Sequence, residues 1–146
     1  MKLIALFFLT IFLGCTHTSI ELISSEKQSI IPGIRSEKTY TNYVFEVKIK
    51  EKTDIRIDSF LVYQRGKQCL KAEKYFIKKE KTAQYVQTFN EVGKYYIHIP
   101  LKEDNFKEKK DCIKSKEDTL VIHYRENGKT KMLNITSFIE KQIRKR

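Results

Sequence analysis

The stretch DTLVIHYRENGKTKMLNITSF, near the carboxyl terminus, constrains the fold more than any other part of the chain. Asn127-Gly128 is a preferred two-residue hairpin loop of type I′, because both of its positions need a positive φ. A two-residue loop makes Ile122 face Leu133, and it brings Leu120 opposite Ile135 in the same way. The register that the turn requires therefore gathers the apolar residues on one face, and the two signals agree on a β-hairpin.

The period of two that is typical of half-buried strands recurs along the chain. Apolar residues alternate with polar or charged ones over residues 43–49, and they do so again over residues 95–101. A third alternation begins at Ile55 and changes phase at Ser59, where a β-bulge would account for the shift. Pro100 lacks a backbone donor, which indicates a sheet edge or the end of a strand.

The fold class follows from these short alternations. Roughly seven strands with turn signals between them predict an all-β fold, an antiparallel β-sandwich. An immunoglobulin-like topology is one possible arrangement, although the chain contains no Trp and its two later cysteines flank strands. Only residues 137–146 could form a short C-terminal helix or tail, with Phe138, Ile139 and Ile143 facing inward.

The amino terminus has a different character. Lys2 is followed by LIALFFLTIFL, an uncharged run of eleven residues, and then by Gly14 and Cys15. Eleven helical residues would cover roughly half of a hydrocarbon core about 30 Å thick. A charged start, a short apolar run and a small residue before a cleavage point are typical of a secretory signal peptide.

The segment Phe12-Leu13-Gly14-Cys15 resembles the lipobox of bacterial lipoproteins. The resemblance implies that signal peptidase II cuts before Cys15, and that the thiol of Cys15 carries a diacylglycerol with fatty acids such as palmitate. One acyl chain anchors a protein only marginally, whereas two or three chains hold it on a membrane. The predicted first partner of this protein is therefore membrane lipid, bound through acylated Cys15.

The cysteine count is consistent with that prediction. The chain has three cysteines, and acylation of Cys15 leaves Cys69 and Cys112 as a pair in an exported protein. We predict a disulfide between them, with free buried thiols or one exposed, reactive thiol as alternatives. No Cys-x-x-Cys occurs, so the sequence indicates neither a redox motif nor a zinc knuckle.

These signals divide the chain into three parts. Residues 1–14 are predicted to be a lipoprotein signal peptide, residues 15–37 a lipid anchor and tether, and residues 38–146 the β-sandwich domain. The middle part mixes Ser, Thr and charges around the turn-prone Pro32-Gly33, with an early edge strand near residues 28–31 as an added possibility.

The formal net charge of +11 could indicate affinity for nucleic acid, anionic lipid or acidic glycans. An exported, anchored protein is hard to reconcile with nucleic acid, so we predict no nucleic-acid partner. Most lysines are interleaved with acids, which is typical of a solvated surface. The terminal EKQIRKR is the one local concentration of positive charge, and it could contact an anionic surface or be a frayed polar end.

Residues able to carry chemistry are few. His98 and His123 fall on the non-core faces of two strands and could share a metal only if those strands were neighbours. Asp54 and Asp58 are four residues apart, about 13 Å on a strand, which exceeds the roughly 5–9.5 Å of glycosidase carboxylate pairs. We predict no catalytic, cofactor-binding or metal-binding residues, no cofactor and no enzymatic activity.

Aromatic residues offer the remaining candidate site. Exposed tyrosines could form a stacking platform for a sugar or a peptide, or an interface with a partner protein, although strand tyrosines are commonly half-buried. The tyrosines concerned are Tyr63, Tyr75, Tyr85, Tyr95 and Tyr96.

The sequence therefore favours a membrane-anchored envelope lipoprotein with a non-catalytic β-domain that binds a partner protein or ligand, or has a structural role. The alternatives are a hydrolase of envelope polymers and an inhibitor or immunity-type protein, whose contact would be the charged loop over residues 102–116. Thr16 is not the aspartate that marks inner-membrane retention in some bacteria. Resemblance thus favours the periplasmic face of the outer membrane.

Overall fold

The computed structural model describes residues 18–63, 69–82, 85–89, 91–110 and 117–146. Eleven β-strands and no helix lie within these residues. The strands are β1 (Ile20–Ile31), β2 (Tyr40–Ile49), β3 (Ile55–Tyr63), β4 (Cys69–Ala72), β5 (Phe76–Lys79), β6 (Tyr85–Val86), β7 (Gly93–Leu101), β8 (Phe106–Lys109), β9 (Thr119–Glu126), β10 (Lys129–Ile135) and β11 (Ile139–Arg144).

The strands form two sheets that pack as a sandwich. The six-stranded sheet has the order β11-β1-β2-β7-β5-β6, and the five-stranded sheet has the order β10-β9-β3-β4-β8. Only the β1–β11 pair is parallel among the pairings of the described residues. The predicted antiparallel β-sandwich is confirmed. Its six-plus-five arrangement has more strands than the sequence indicated, and it differs from the four-plus-three arrangement of an immunoglobulin constant-type domain.

The core lies between the two sheets and follows the predicted alternation. Residues of β2 and β7 that were expected to face inward are buried in one hydrophobic cluster with residues of β3 and β9. Phe45 and Phe60 connect the two sheets, with their ring centroids 6.1 Å apart. Burial of these apolar side chains supplies the main favourable free energy of folding, at about 25 cal/mol per Å².

The predicted hairpin is present in its predicted register. Ile122 pairs with Leu133 and Leu120 with Ile135. Asn127 has a φ of 51° and Gly128 a φ of 79°, as a type I′ turn requires. The turn chemistry and the apolar pattern therefore fix the same pairing.

Two finer predictions concern interruptions of strands, and both are confirmed. The pairing of β3 with β9 shifts register between Ile57 and Ser59, where the change of phase predicted a bulge. Pro100 is the penultimate residue of β7 and lies beyond His98, the last β7 residue that pairs with β5. A residue without a backbone donor is tolerated at this strand end.

The tether prediction is wrong for residues 20–31. They form β1, a strand of 12 residues that lies between β11 and β2 and not at an edge. The pairing of β1 with β2 shifts register between Leu22 and Ser24. Such a shift interrupts the period of two, so the sequence pattern does not indicate a strand here. Hydrogen bonds to two neighbouring strands stabilise β1 nevertheless.

The predicted C-terminal helix is also wrong, because β11 occupies most of that segment. β11 runs parallel to β1, with Glu26 paired to Ile139 and Ile31 paired to Arg144. A spacing of four between Ile139 and Ile143 fits one face of a helix and equally one face of a strand. The open edge of β1 offers backbone partners, which decides between the two.

The predicted contact loop of an inhibitor, over residues 102–116, is interrupted by β8, which pairs with β4 in the five-stranded sheet. Residues 111–116 lie outside the described residues. Residues 102–105 form a tight turn, in which the backbone N–H of Asn105 donates to the carbonyl oxygen of Lys102 at 2.8 Å. A long, uniform contact loop is therefore not what the described part of this segment forms.

Candidate functional site

A groove with a cavity volume of about 370 Å³ opens on the outer face of the six-stranded sheet. This volume lies within the range of about 300–1,000 Å³ that is typical of ligand pockets. The side chains that define its character are Tyr40, Asn42, Phe76, Tyr85, His98 and Lys102.

Strand pairing brings the groove residues together. Phe76 of β5 lies opposite His98 of β7, and Asn42 of β2 lies opposite Pro100. Directly opposed residues share a face, and successive residues of a strand point to opposite faces. The neighbours of His98, Ile97 and Ile99, are buried in the core, so the groove residues occupy the solvent side of the same strands.

Two aromatic rings stand exposed on one side of the groove. The ring centroids of Phe76 and Tyr85 are 5.7 Å apart in a T-shaped arrangement. Phe76 is 46% exposed and Tyr85 is 67% exposed. Aromatic residues are enriched at interaction sites, and two exposed rings beside a cavity are consistent with such a site.

Two lysines converge on the ring of Tyr40 at the other side. The Nζ atom of Lys102 lies 4.7 Å from the ring centroid, and that of Lys145 lies 5.8 Å from it. Lys145 also donates a hydrogen bond to the Tyr40 hydroxyl at 3.2 Å. The ring face attracts both cations, so Tyr40 holds two positive charges at the rim of the groove.

Asn105 fixes the corner that forms the end of the groove. Its side chain is 2% exposed. Its Nδ2 donates to the carbonyl oxygens of Lys74 at 2.9 Å and Pro100 at 2.5 Å, and its Oδ1 accepts from the backbone N–H of Lys74 at 2.5 Å. One amide thus satisfies three backbone groups, two of them between β4 and β5 and one near the end of β7, which makes the corner rigid.

Two polar residues that line the groove, His98 and Asn42, are uncharged at neutral pH, whereas Lys74, Lys102 and Asp104 contribute charged groups to the lining. Burial, with a smaller contribution from the charge of Lys78, lowers the pKa of His98 below its ordinary value. The imidazole is therefore neutral at neutral pH and can both donate and accept a hydrogen bond. The Asn42 Nδ2 donates to Gln28 at 3.2 Å, while its buried Oδ1 has no partner among the described residues. This set suits binding through hydrogen bonds and stacking.

The histidine pair considered from the sequence does not form. His98 lies on β7 of the six-stranded sheet and His123 on β9 of the five-stranded sheet. Each side chain points away from the core, so the two lie on opposite outer surfaces. No group of three or more His, Cys, Asp or Glu within the described ranges could hold a metal ion.

Asp58 in β3 and Asp54, immediately before β3, each form an ion pair with an arginine. Asp54 lies 3.2 Å from Arg56, and Asp58 lies 3.0 Å from Arg125. Both pairs are exposed, where such interactions contribute little to stability. These carboxylates belong to a solvated surface.

The tyrosine platform is smaller than the sequence suggested. Tyr95 is buried in the core, and Tyr75 packs edge-on against Phe60 at 4.9 Å. Tyr85 alone of the five tyrosines lines the groove. Tyr40, Phe76 and Asn105 were not predicted as site residues from the sequence. For Tyr40 a signal existed, because it lies out of phase with the buried alternation of β2.

Cys69 is buried at the start of β4 and is disulfide-bonded. Its predicted partner Cys112 lies outside the described residues, as do the signal peptide and Cys15. The Cys69–Cys112 pairing and the acylation of Cys15 therefore stay predictions. Among the residues that the structure describes, no helix is long and apolar enough to span a bilayer.

A second polar site fixes the start of β1. The backbone N–H of Ser19 donates to Oε1 of Glu126 at 3.1 Å, and Lys131 donates to the other carboxylate oxygen. The Ser19 carbonyl oxygen accepts from the backbone N–H of Lys50 at 2.9 Å. Glu126 is only 5% exposed. The chain is thus clamped to the end of the sandwich immediately before β1 begins.

The clamp predicts an acid-sensitive step in stability. Burial by itself would raise the pKa of Glu126, but hydrogen bonds from Lys131 and Ser19 outweigh it and hold the pKa below the ordinary 4.5. The stabilisation is complete above the unfolded-state value and is lost as the pH falls through the lower folded-state value. We expect the free energy of unfolding, measured by urea denaturation, to fall below pH 4.5, and the Glu126→Gln variant to show a weaker fall.

The matched control for this prediction is Glu73→Gln. The Glu73 carboxylate lies 2.7 Å from Lys107, but the pair is exposed to solvent and contributes little. Its pH profile should follow the wild type. If the acid-induced fall in the free energy of unfolding weakens equally in Glu126→Gln and Glu73→Gln, a specific role for the Glu126 clamp is contradicted.

No protein-family model and no curated protein matches this chain.

Proposed function

We propose that this chain is a lipid-anchored protein of the bacterial cell envelope, and that its β-sandwich binds a partner protein or ligand in the groove without catalysing a reaction. The lipobox-like segment that ends at Cys15 supports the anchor. The exposed Phe76 and Tyr85 support a binding role for the domain. The periplasmic face of the outer membrane is the location that we favour.

The start of β1 supports a short attachment. β1 begins at Ile20, so four residues separate it from Cys15. An extended chain covers at most about 3.6 Å per residue, which limits the distance from Cys15 to Ile20 to roughly 18 Å. Because Ser19 is clamped by Glu126, the end of the sandwich that holds Ile20 would lie close to the lipid headgroups.

The position of the groove relative to this end is the observation that carries the proposal. Ile20 pairs with Ile49 at one end of the six-stranded sheet, and Ile30 pairs with Tyr40 at the other end. Ten residues of strand separate Ile20 from Ile30, a distance of roughly 30 Å. The groove residues Tyr40 and Lys102 would therefore face away from the bilayer, where a partner or ligand can reach them.

The disulfide of Cys69 supports export from the cytosol. Disulfides persist in oxidising compartments such as the bacterial periplasm and are rare in the cytosol. A disulfide-bonded Cys69 is consistent with an envelope protein whose Cys15 is acylated, with Cys112 as the predicted partner.

The test is a pull-down from detergent-solubilised envelopes with the lipidated wild-type chain and with a Phe76→Ala/Tyr85→Ala variant. We expect one stoichiometric partner or ligand to be retained by the wild type, and its recovery to fall about tenfold or more without the two rings, because aromatic anchors dominate such contacts. Thermal unfolding of the variant checks that it is folded.

The matched control is Met132→Ala, which removes an exposed apolar side chain of β10, in the other sheet (62% exposed). This variant should retain what the wild type retains. If the Phe76→Ala/Tyr85→Ala variant recovers as much partner or ligand as the wild type, a binding role for the groove is contradicted.

A further inference from the structure

We infer that the ligand of the groove is an acidic glycan, with sugar rings packed against Phe76 and Tyr85 and its acidic groups beside Lys102 and Lys145. This inference rests on the proposed binding role of the groove and specifies the class of ligand.

The shape of the groove suits a short stretch of a linear polymer. Its strand residues come from β2, β7, β5 and β6, which are successive strands of one sheet, and its other residues come from the connections that follow β4 and β7. Strands lie about 4.7–4.9 Å apart, so the groove runs roughly 14 Å across the sheet from Tyr40 to Tyr85. The two exposed rings lie at one end, and Tyr40 and Lys102 lie at the other, where Lys145 contacts Tyr40. An elongated ligand could contact both ends at once.

The rings and the neutral polar groups suit sugar rings. Exposed aromatic side chains provide apolar surface with little loss of conformational entropy on binding. Sugar rings combine a C–H face with hydroxyl groups on their edges. The neutral imidazole of His98 lies between the two ends, opposite Phe76, and can pair with a hydroxyl as donor or acceptor.

The charge at the Tyr40 end selects for acidic groups. Lys38 pairs with Glu103 and Lys74 with Asp104, so these two lysines of the region are neutralised. Lys102 and Lys145, in contrast, form no ion pair among the described residues, and both lie over Tyr40. Two uncompensated cations held at one place favour a carboxylate, sulfate or phosphate on the ligand.

The carboxyl-terminal residues are held in place as part of this rim. The backbone N–H of Lys145 donates to the carbonyl oxygen of Ile31 at 2.9 Å. Gly33 lies so close that a Cβ on it would be 2.8 Å from the carbonyl oxygen of Lys145. A side chain at Gly33 would displace this tail, so Gly33→Ala moves Lys145 without changing the charge of the protein.

The test uses the full lipidated chain in detergent micelles and measures binding to three acidic polymers, namely polygalacturonate, alginate and hyaluronate. We expect at least one to bind with an affinity that falls as salt rises, because exposed charges are screened. Two control polymers are matched to these. Methyl-esterified polygalacturonate is a neutral glycan, and polyglutamate is an acidic chain without sugar rings.

Both the charge and the rings should be required. Lys102→Gln/Lys145→Gln and Gly33→Ala should each weaken binding of the acidic glycan by about tenfold, and Phe76→Ala/Tyr85→Ala should weaken it at least as much. The control Lys48→Gln/Lys129→Gln removes two exposed lysines outside the groove and should bind as the wild type does.

Three results would overturn the inference: no acidic polymer binds, polyglutamate binds as tightly as the acidic glycan, or the methyl-esterified polymer binds equally well. Groove-dependent capture of envelope material together with any of these results would leave the proposed function standing and refute the glycan alone. Capture that is indifferent to Phe76→Ala/Tyr85→Ala would refute both.

Discussion

Replacing Asn105 with alanine should lower the free energy of unfolding by about 3 kcal/mol, because three partly buried backbone groups lose their hydrogen-bond partner at about 1 kcal/mol each. The groups are the N–H and carbonyl of Lys74 and the carbonyl of Pro100. A loss of this size would lower the melting temperature by roughly 10 °C in a domain of this length. Urea denaturation and thermal unfolding measure both quantities.

Asn134→Ala is the matched control, since Asn134 is an exposed residue of β10. Surface substitutions of this kind usually change stability by about 0.5 kcal/mol or less. An Asn105→Ala variant that is no less stable than Asn134→Ala would mean that water or a rearranged corner satisfies the same backbone groups. In that case Asn105 would not be the residue that fixes the end of the groove.

The second large effect is expected for Cys15→Ser, which removes the thiol that acylation requires. Each buried methylene contributes about 0.8 kcal/mol, so two or three acyl chains hold a protein on a membrane and their loss releases it. We expect nearly all of the variant to move from the membrane fraction to the soluble fraction, as measured by fractionation and immunoblotting.

Cys69→Ser is the control that separates anchoring from the general loss of a cysteine. It removes a disulfide-bonded residue of β4 and should lower stability, yet it leaves the acyl acceptor in place. The variant should stay in the membrane fraction. A Cys15→Ser variant that also stays there, after a high-salt wash, would contradict the lipid anchor.

The strands that sequence could predict are those whose alternation faces the core without interruption. The alternation of apolar and polar residues predicts β2, β7 and the β9–β10 hairpin, because a residue and its second neighbour along a strand share one buried face. β1 escaped prediction because its register shifts between Leu22 and Ser24. β11 was not predicted because the spacing of Ile139 and Ile143 fits a helix as well as a strand. Pairing with the free edge of β1 is what makes this segment a strand.

The groove could not be predicted because it depends on which strands become neighbours. Phe76 and His98 are distant in sequence, and the pairing of β5 with β7 alone brings them together. Asn105 stands in a charged turn where asparagine is ordinary. Its importance comes from its hydrogen bonds to Lys74, between β4 and β5, and to Pro100, near the end of β7. Sequence patterns indicate which residues of a strand face the core. A site of this kind depends in addition on which strands lie next to each other in the sheet.

The most direct test of the central proposal, a sandwich attached to lipid through Cys15, is the intact mass of the chain extracted from membranes. We predict a protein that begins at residue 15, lacks residues 1–14 and carries the added mass of a diacylglyceryl group, with or without a further acyl chain. Fragmentation should assign the added mass to Cys15. An unmodified chain that keeps Met1 and is recovered from the cytosol would contradict the proposal.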